Sequence, residues 1–245
     1  MVSASGSYGP TTTNPIAAWT VSEVGQEWGQ MHGTGIKRIG GIPVLNPDGT
    51  YVSEADVNYG SVLPRYTGGF QNSLTLFKNF VINVNIDYQS GGKFFSLSNY
   101  WGDFSGLTAR TAALNDKGNS IRDAVLDGGG VHVLGVDETG KAYDTYVDAK
   151  TYFSQFYSSK ISEKHIYDLT YVKMREFSLG YRLPVEKMGI GKYIKGATFS
   201  IIGRNLWLIY AKTKDFDPSE VSGVSGEDGQ MPGTRSIGAN LKLNF

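Results

Sequence analysis

The chain has 245 residues, no cysteine, and equal numbers of basic and acidic side chains, 23 of each. That balance leaves no basic footprint for nucleic acid and no acidic tail, and the missing cysteine excludes a disulfide scaffold or a thiolate metal site without fixing a compartment. With 32 glycines, 15 tyrosines and 12 phenylalanines against 8 prolines, the composition suits strands joined by glycine-rich loops, in one large all-β domain or two ordinary ones. No run approaches about 18 apolar residues, so no transmembrane helix is predicted. Membrane strands stay open, because each needs only about ten residues of alternating polarity.

Residues 1–18 form a leading segment without a defined pattern, and MVSASGSYGPTTTNP, with no basic region ahead of an apolar core, is not a signal peptide. WTVSEVGQEWGQMHGTGIKR is a weak strand candidate. NPDGT, at Asn46–Thr50, lacks the alternating ligands of a calcium loop and predicts a turn. Phe70, Leu74 and Leu76 then alternate with Gln71, Ser73 and Thr75. In FVINVNIDYQ, Phe80, Ile82, Val84, Ile86 and Tyr88 lie on one parity and Asn83, Asn85, Asp87 and Gln89 on the other, with Val81 the only exception. Lys78-Asn79 between these runs predicts a tight hairpin turn.

Phe94, Phe95, Tyr100, Trp101 and Phe104 crowd the start of the longest connection. Such aromatics either stack on sugar rings, touch a partner, or pack a long loop onto itself, and a loop of this length needs a small core of its own. Tyr100, Trp101 and Phe104 are the candidate loop contacts for ligand or partner. TYVKMREFSLGYRLP puts Phe177, Leu179 and Tyr181 opposite Ser178, Gly180 and Arg182, with a blur over Lys173 to Glu176 that predicts a bulge, and Pro184 ends the run. In ATFSIIGRNLWLIY, Phe199, Ile201 and Trp207 share a parity. The terminal SIGANLKLNF alternates without a break: Ile237, Ala239, Leu241, Leu243 and Phe245 face Ser236, Gly238, Asn240, Lys242 and Asn244. Chain ends usually fray, so an end this regular is tied into a sheet.

This pattern predicts about six strands. Short connections near Lys78-Asn79 and Pro184–Gly196 alternate with long ones at Gly41–Pro64, Gly91–Lys164 and Ala211–Pro232. An up-and-down meander would collect the long loops at one end, as outer-membrane barrels do. A soluble sandwich also alternates, but two details favour lipid. Phe80 and Tyr88 bracket an aliphatic stripe, and eight residues at about 3.3 Å, tilted by about 45°, rise roughly 19 Å, near the height of a membrane apolar band. The opposite face carries Asn, Asp, Gln, Lys and Arg, as a water-filled lumen requires; Arg182, Arg204 and Lys242 fall there.

YVKMREFSLGYRLP, GRNLWLIY, DFDPSEV and PGTRSIGANLKLNF, in that order, resemble the closing strands of SusC/RagA-type TonB-linked outer-membrane transporters (TonB-dependent receptors), and YTGGFQNSLTLFKNFVINVNIDYQSGGKFFSL resembles a hairpin further upstream in them. The resemblance runs from about Trp19 to Phe245. Ser219 and Gly233 depart from the usual pattern, which has an acidic residue directly after Pro218 and a Ser before Thr234, without altering the strands. The resemblance implies an all-β, antiparallel transmembrane β-barrel, of which residues 1–245 are the C-terminal portion. Barrels of this class have about 22 strands and a plugged lumen, so an incomplete barrel without its plug is expected, as part of a longer protein. It further implies a Gram-negative outer-membrane location in contact with lipid, a SusD-like surface lipoprotein partner, a TonB complex reached through other regions, and an oligosaccharide (glycan) or peptide ligand. Phe245, with Leu241 and Leu243 on its parity, would belong to the signal that barrel-assembly machinery reads.

No HExxH, GxSxG, GxGxxG or P-loop pattern occurs, no carboxylate pair stands out for glycoside hydrolysis, and neither enzyme activity nor a cofactor is expected. His32, His132 and His165 are expected as solvated loop residues. Asp215, Asp217 and Glu220 could gather round Ca²⁺, but Asp217-Pro218 is first a turn signal, and no metal is expected. The competing reading is a self-contained small β-barrel or soluble β-sandwich that binds a ligand.

Overall fold

A computed structural model describes residues 18–221, 226, 227, 229 and 231–245. In chain order the strands are β1 (Ala18–Val21), β2 (Gln30–Ile36), β3 (Arg38–Ile39), β4 (Ile42–Pro43), β5 (Ser53–Ser61), β6 (Pro64–Leu76), β7 (Phe80–Gly91), β8 (Lys93–Phe95), β9 (Val131–Val136), β10 (Ala142–Val147), β11 (Ile166–Asp168), β12 (Tyr171–Leu183), β13 (Gly196–Ala211) and β14 (Ser236–Asn244). Two helices, α1 (Leu97–Phe104) and α2 (Ala149–Ser158), lie between β8 and β11. The chain is predominantly β, and its sheets are antiparallel.

Two compact units divide these elements. One takes the described residues of Met1–Leu63, Lys93–Tyr167 and Ser222–Gln230; the other takes Pro64–Gly92, Asp168–Val221 and Met231–Phe245.

The second unit is a five-stranded meander in the order β14-β13-β12-β7-β6. The weak early candidate is not a sixth strand of it: Trp19 to Arg38 supplies β1, β2 and the start of β3, and β1-β2-β5 form a separate sheet in the first unit. β6 and β7 meet at the predicted hairpin, where Leu76 pairs with Phe80 around Phe77, Lys78 and Asn79. Phe77 and Lys78 both take positive φ, 51° and 66°. The blur in β12 is a bulge. Met174 pairs with Ile86 and Glu176 with Asn85, which leaves Arg175 unpaired. Two residues that should share a face are thereby sent to opposite faces, and Phe177, Leu179 and Tyr181 fall in step with β7.

The first unit builds several small cores rather than one. α2 buries Ala149, Phe153 and Phe156, the spacing of one helical face. Phe153 and Ala149 pack with Ile121, while Phe156 packs with Ile36 and Ile161. Leu45, Val133 and Val147 form another cluster, and Ala18, Phe95 and Tyr100 a fourth. Both helices begin on a side-chain cap: Ser96 accepts from the Asn99 amide and Asp148 from the Thr151 amide, each at 3.1 Å. Asn46–Thr50 is a turn as expected, closed by Thr50 carbonyl acceptance from the Asn46 amide at 2.8 Å.

Candidate functional site

The register of the meander sorts its side chains into two faces. Leu74, Ile82, Leu179, Ile201 and Ala239 form one row across the five strands. Phe70, Ile86, Met174 and Trp207 form a second. At one end of these rows stand Leu76, Phe80, Tyr181, Phe199 and Leu241; at the other stand Gly68, Tyr88, Val172 and Tyr210. Two rows that carry aromatics, Phe80, Tyr181 and Phe199 at one end and Tyr88 and Tyr210 at the other, therefore bracket an apolar band. The Phe80 and Tyr181 rings lie 4.9 Å apart, and Tyr88 lies so close over Gly68 that a Cβ there would come within 2.5 Å of the ring. This face is open: Trp207 is 56% exposed and Ile237 79%.

The other face is polar. Asn83 donates to the Ser178 hydroxyl at 2.9 Å, and Arg204 donates to Glu176 at 2.9 Å across β12 and β13. Arg182, Thr198 and Lys242 occupy one row on this side. Arg204 thus has a carboxylate partner inside the sheet itself.

Near the start of β12 the polar face becomes a charge network. The buried Lys173 ammonium donates to Asp217 at 2.7 Å, to the Ser219 hydroxyl at 2.8 Å and to Glu220 at 2.8 Å, which uses all three of its protons. Arg175, freed from the ladder by the bulge, donates to Asp87 at 2.7 Å. The DFDPSEV carboxylates hold an ammonium, and Asp217 caps the 3₁₀ turn Pro218–Glu220 by accepting from the Ser219 amide at 3.0 Å. Burial pushes the Asp217 carboxyl up, but Lys173 and the Ser219 hydroxyl and amide together bring it below its ordinary value; Lys173 also lowers Glu220. Among the described residues no group of His, Asp and Glu is arranged to hold a metal. Ser219, where the sequence departs from the expected motif, is itself one of the three acceptors.

Leu241 pairs with Phe199 and Leu243 with Ala197 on the apolar side. Phe245 follows the last paired residue and is 85% exposed. The Lys195 amide donates to the Asn244 carbonyl at 2.7 Å, so the strand ends beside the short connection from β12 to β13.

In the first unit the loop aromatics separate. Tyr100 is 2% exposed, its ring 5.5 Å from Phe95 and 5.3 Å from His165. Trp101 and Phe104 are exposed on the same helix and clasp the Tyr157 ring at 5.3 and 4.7 Å. Two of the histidines are buried rather than solvated as expected, and His132 stays partly exposed. His165 is fully buried and pairs with the Asp103 carboxylate at 3.0 Å; His32 is buried and pairs with Asp56 at 2.7 Å; His132 lies between Asp116 and Asp144 at 3.1 and 2.8 Å. Each partner is distant in sequence, so no local spacing announces it. Arg38 clamps Glu163, which also accepts from the Ile36 amide at 2.8 Å. Burial raises that carboxyl, but Arg38 and the amide bring it below its ordinary value.

A short strap crosses the N-terminus of α1. The Glu227 amide donates to the Phe95 carbonyl at 3.1 Å and the Leu97 amide to the Glu227 carbonyl at 2.7 Å. The buried Glu227 carboxylate accepts from the Ser96 and Ser98 hydroxyls at 2.5 and 2.6 Å and from the Gly229 amide at 2.9 Å. Gly226 has φ +72°, and a Cβ there would lie 2.6 Å from the Phe95 carbonyl oxygen, so only glycine fits.

No protein-family model matches the chain, and no curated protein matches it. Solved structures do. The RagAB peptide importer in its "closed-closed" state is similar at 18% identity and TM-score 0.53, over 94% of this chain and 22% of that one. The same importer in its "open-open" state gives 17% and 0.54, over 94% and 24%, and a further RagAB peptide transporter structure gives 18% and 0.54, over 94% and 25%. The chain spans about a quarter of the length of the chains it matches, and at this identity the likeness is one of fold.

Proposed function

We propose that this chain is wall and loop of an outer-membrane importer barrel, the meander facing lipid on its apolar side and an aqueous lumen on its polar side. The observation that carries the proposal is the exposed apolar band between two rows that carry aromatics, with the row from Leu74 to Ala239 running across all five strands. A water-soluble surface rarely leaves so large an apolar area open. A soluble sandwich would bury that face against a second sheet, whereas Trp207 and Ile237 are open. The fold likeness to RagAB importer chains supports the same reading.

In the whole protein the strands beside β6 and β14 would close the sheet, since an unpaired edge in lipid costs several kcal/mol for each unsatisfied backbone group. TonB coupling, a SusD-like lipoprotein, and an oligosaccharide or peptide ligand complete the proposal; Trp101 and Phe104 are the loop residues offered to ligand or partner. Leu241, Leu243 and Phe245 would serve barrel assembly. The test is solvent. The purified chain is expected to need detergent to stay dispersed, and a folded, monodisperse species in plain buffer would overturn the membrane reading.

A further inference from the structure

A cavity of about 420 Å³ opens in the first unit between the end of α1 and the first turn of α2, within the size range of small-ligand sites. Phe104 and Phe153 give it apolar walls, and Arg122, Lys150, Asp103 and Asp148 its charges.

These charges are not equivalent. Asp103 is already engaged, accepting from Thr108 at 2.5 Å, pairing with Arg110 at 3.1 Å and with His165 at 3.0 Å. Asp148 caps α2, where its negative charge lies at the positive end of the helix. Among the described residues Arg122 has no such match. Its guanidinium donates to the Gly106 carbonyl at 2.6 Å, the Thr111 carbonyl at 2.8 Å and the Thr111 hydroxyl at 3.0 Å. All three acceptors are neutral. They fix the plane of the guanidinium without cancelling its charge. Lys150, exposed at the same rim, makes no ion pair among the described residues.

We infer that this cavity binds the carboxylate end of a ligand, with Arg122 and Lys150 holding the anion and Phe104 and Phe153 covering an adjoining ring or apolar side chain. The three bonds use Nε and Nη2, and the Nη1 donors, which carry none of them, are left to meet a carboxylate beside the Lys150 ammonium. Two sources share this chemistry, the C-terminus of a peptide and the uronate of an acidic oligosaccharide. The inference rests on the importer reading and narrows its ligand.

The experiment is calorimetric titration of the full chain in detergent. The probes are N-acetyl-Gly-Gly-Phe as free acid and as C-terminal amide, and a digalacturonate beside its uncharged digalactoside. One acid is expected to bind at least tenfold tighter than its neutral counterpart, and which acid does so assigns the source. Arg122→Gln should abolish that preference. Because Arg122 also braces Gly106 and Thr111, Lys150→Glu, at an exposed side chain with no bond to lose, is the second variant and should weaken the acid at least tenfold with the neutral probe unchanged. Equal binding of acid and neutral forms, no binding of either acid up to millimolar concentration, or an undiminished preference in both variants would overturn the inference. Detergent dependence is scored separately. A chain that needs detergent but shows no acid preference loses only this site; a chain that shows the preference in plain buffer loses only the transport reading.

Discussion

Lys173 donates to Asp217 at 2.7 Å, and through that bond the turn after β13 is tied to the start of β12. Replacing Lys173 by Ala leaves Asp217 and Glu220 facing each other without their common cation. Because both carboxylates keep some access to water, the expected loss is about 2 kcal/mol, below the 3–5 kcal/mol of a fully buried pair. Lys173→Arg should recover part of it. Chemical denaturation in detergent gives the measurement, and an unchanged midpoint for Lys173→Ala would show that the network is ornamental.

The same network sets a pH dependence. Asp217 and Glu220 both titrate lower in the folded chain than in the unfolded one. Their contribution is therefore complete above the unfolded values, at about pH 4 to 4.5, and is lost as the pH falls through the lower folded values. In the first unit Glu163, also lowered, acts in the same sense. Melting temperature should hold steady from pH 7 to about 5 and drop below about 4, with a smaller drop in a Lys173→Ala, Glu163→Gln double variant.

Val84 and Asn85 are neighbours on β7 that face opposite ways, paired with Phe177 and Glu176. Arg at Val84, among the aliphatic rows, is expected to cost about 2–4 kcal/mol in a bilayer, and Arg at Asn85 much less. Folded protein recovered from membranes, read by heat-modifiable mobility, compares the two. Equal losses would contradict the assignment of the two faces, and a greater loss for Asn85→Arg would reverse it.

Phe245 ends the strand beside the short connection, away from the ends of β13 and β14 that the long connection joins. Phe245→Asp is expected to lower the amount of assembled parent protein without changing which ligand it takes. Uptake per assembled molecule separates the two effects, and normal assembly of the variant would remove Phe245 from any assembly role.

Glu227→Ala empties the seat at the start of α1 and leaves the Ser96 and Ser98 hydroxyls to find other partners, at a cost of about 1–3 kcal/mol. The Leu97 amide, bonded to the Glu227 carbonyl, should exchange its hydrogen faster in the variant. Unaltered exchange there would show that the strap is held by its backbone alone.

The parts of this fold that were legible in the sequence are those where polarity changes with every second residue. β14 alternates without interruption and β7 with Val81 as its one exception, polar and apolar side chains taking opposite faces, and the bulge near Arg175 showed as a lapse in that rhythm. The first unit was not legible as a separate body. Its cores join residues of Lys93–Tyr167 to Ala18, Ile36 and Leu45 from far earlier in the chain, a helix here and a strand there, so no period is sustained. Burial of His165 depends on Asp103, and the anchoring of Lys173 on residues in DFDPSEV, and such pairings across the chain leave no spacing to read. Ser219 looked like a departure from a motif and proved to be an acceptor within it.

β8 and β11 are hydrogen-bonded to each other. They are the first and last pieces of the long excursion between β7 and β12, and their pairing has a kinetic consequence. Two strands separated by roughly 75 residues would ordinarily meet only after a search whose closure entropy is about 4 kcal/mol on a (3/2)RT ln n scale. Once the cores that Lys93–Tyr167 builds with Ala18, Ile36 and Leu45 have condensed and β8 lies beside β11, the two ends of that excursion are held together, and the distant register of β7 and β12 becomes in effect a local one. The meander would then zip at nearly the rate of a hairpin, and variants that loosen those cores should slow it in proportion.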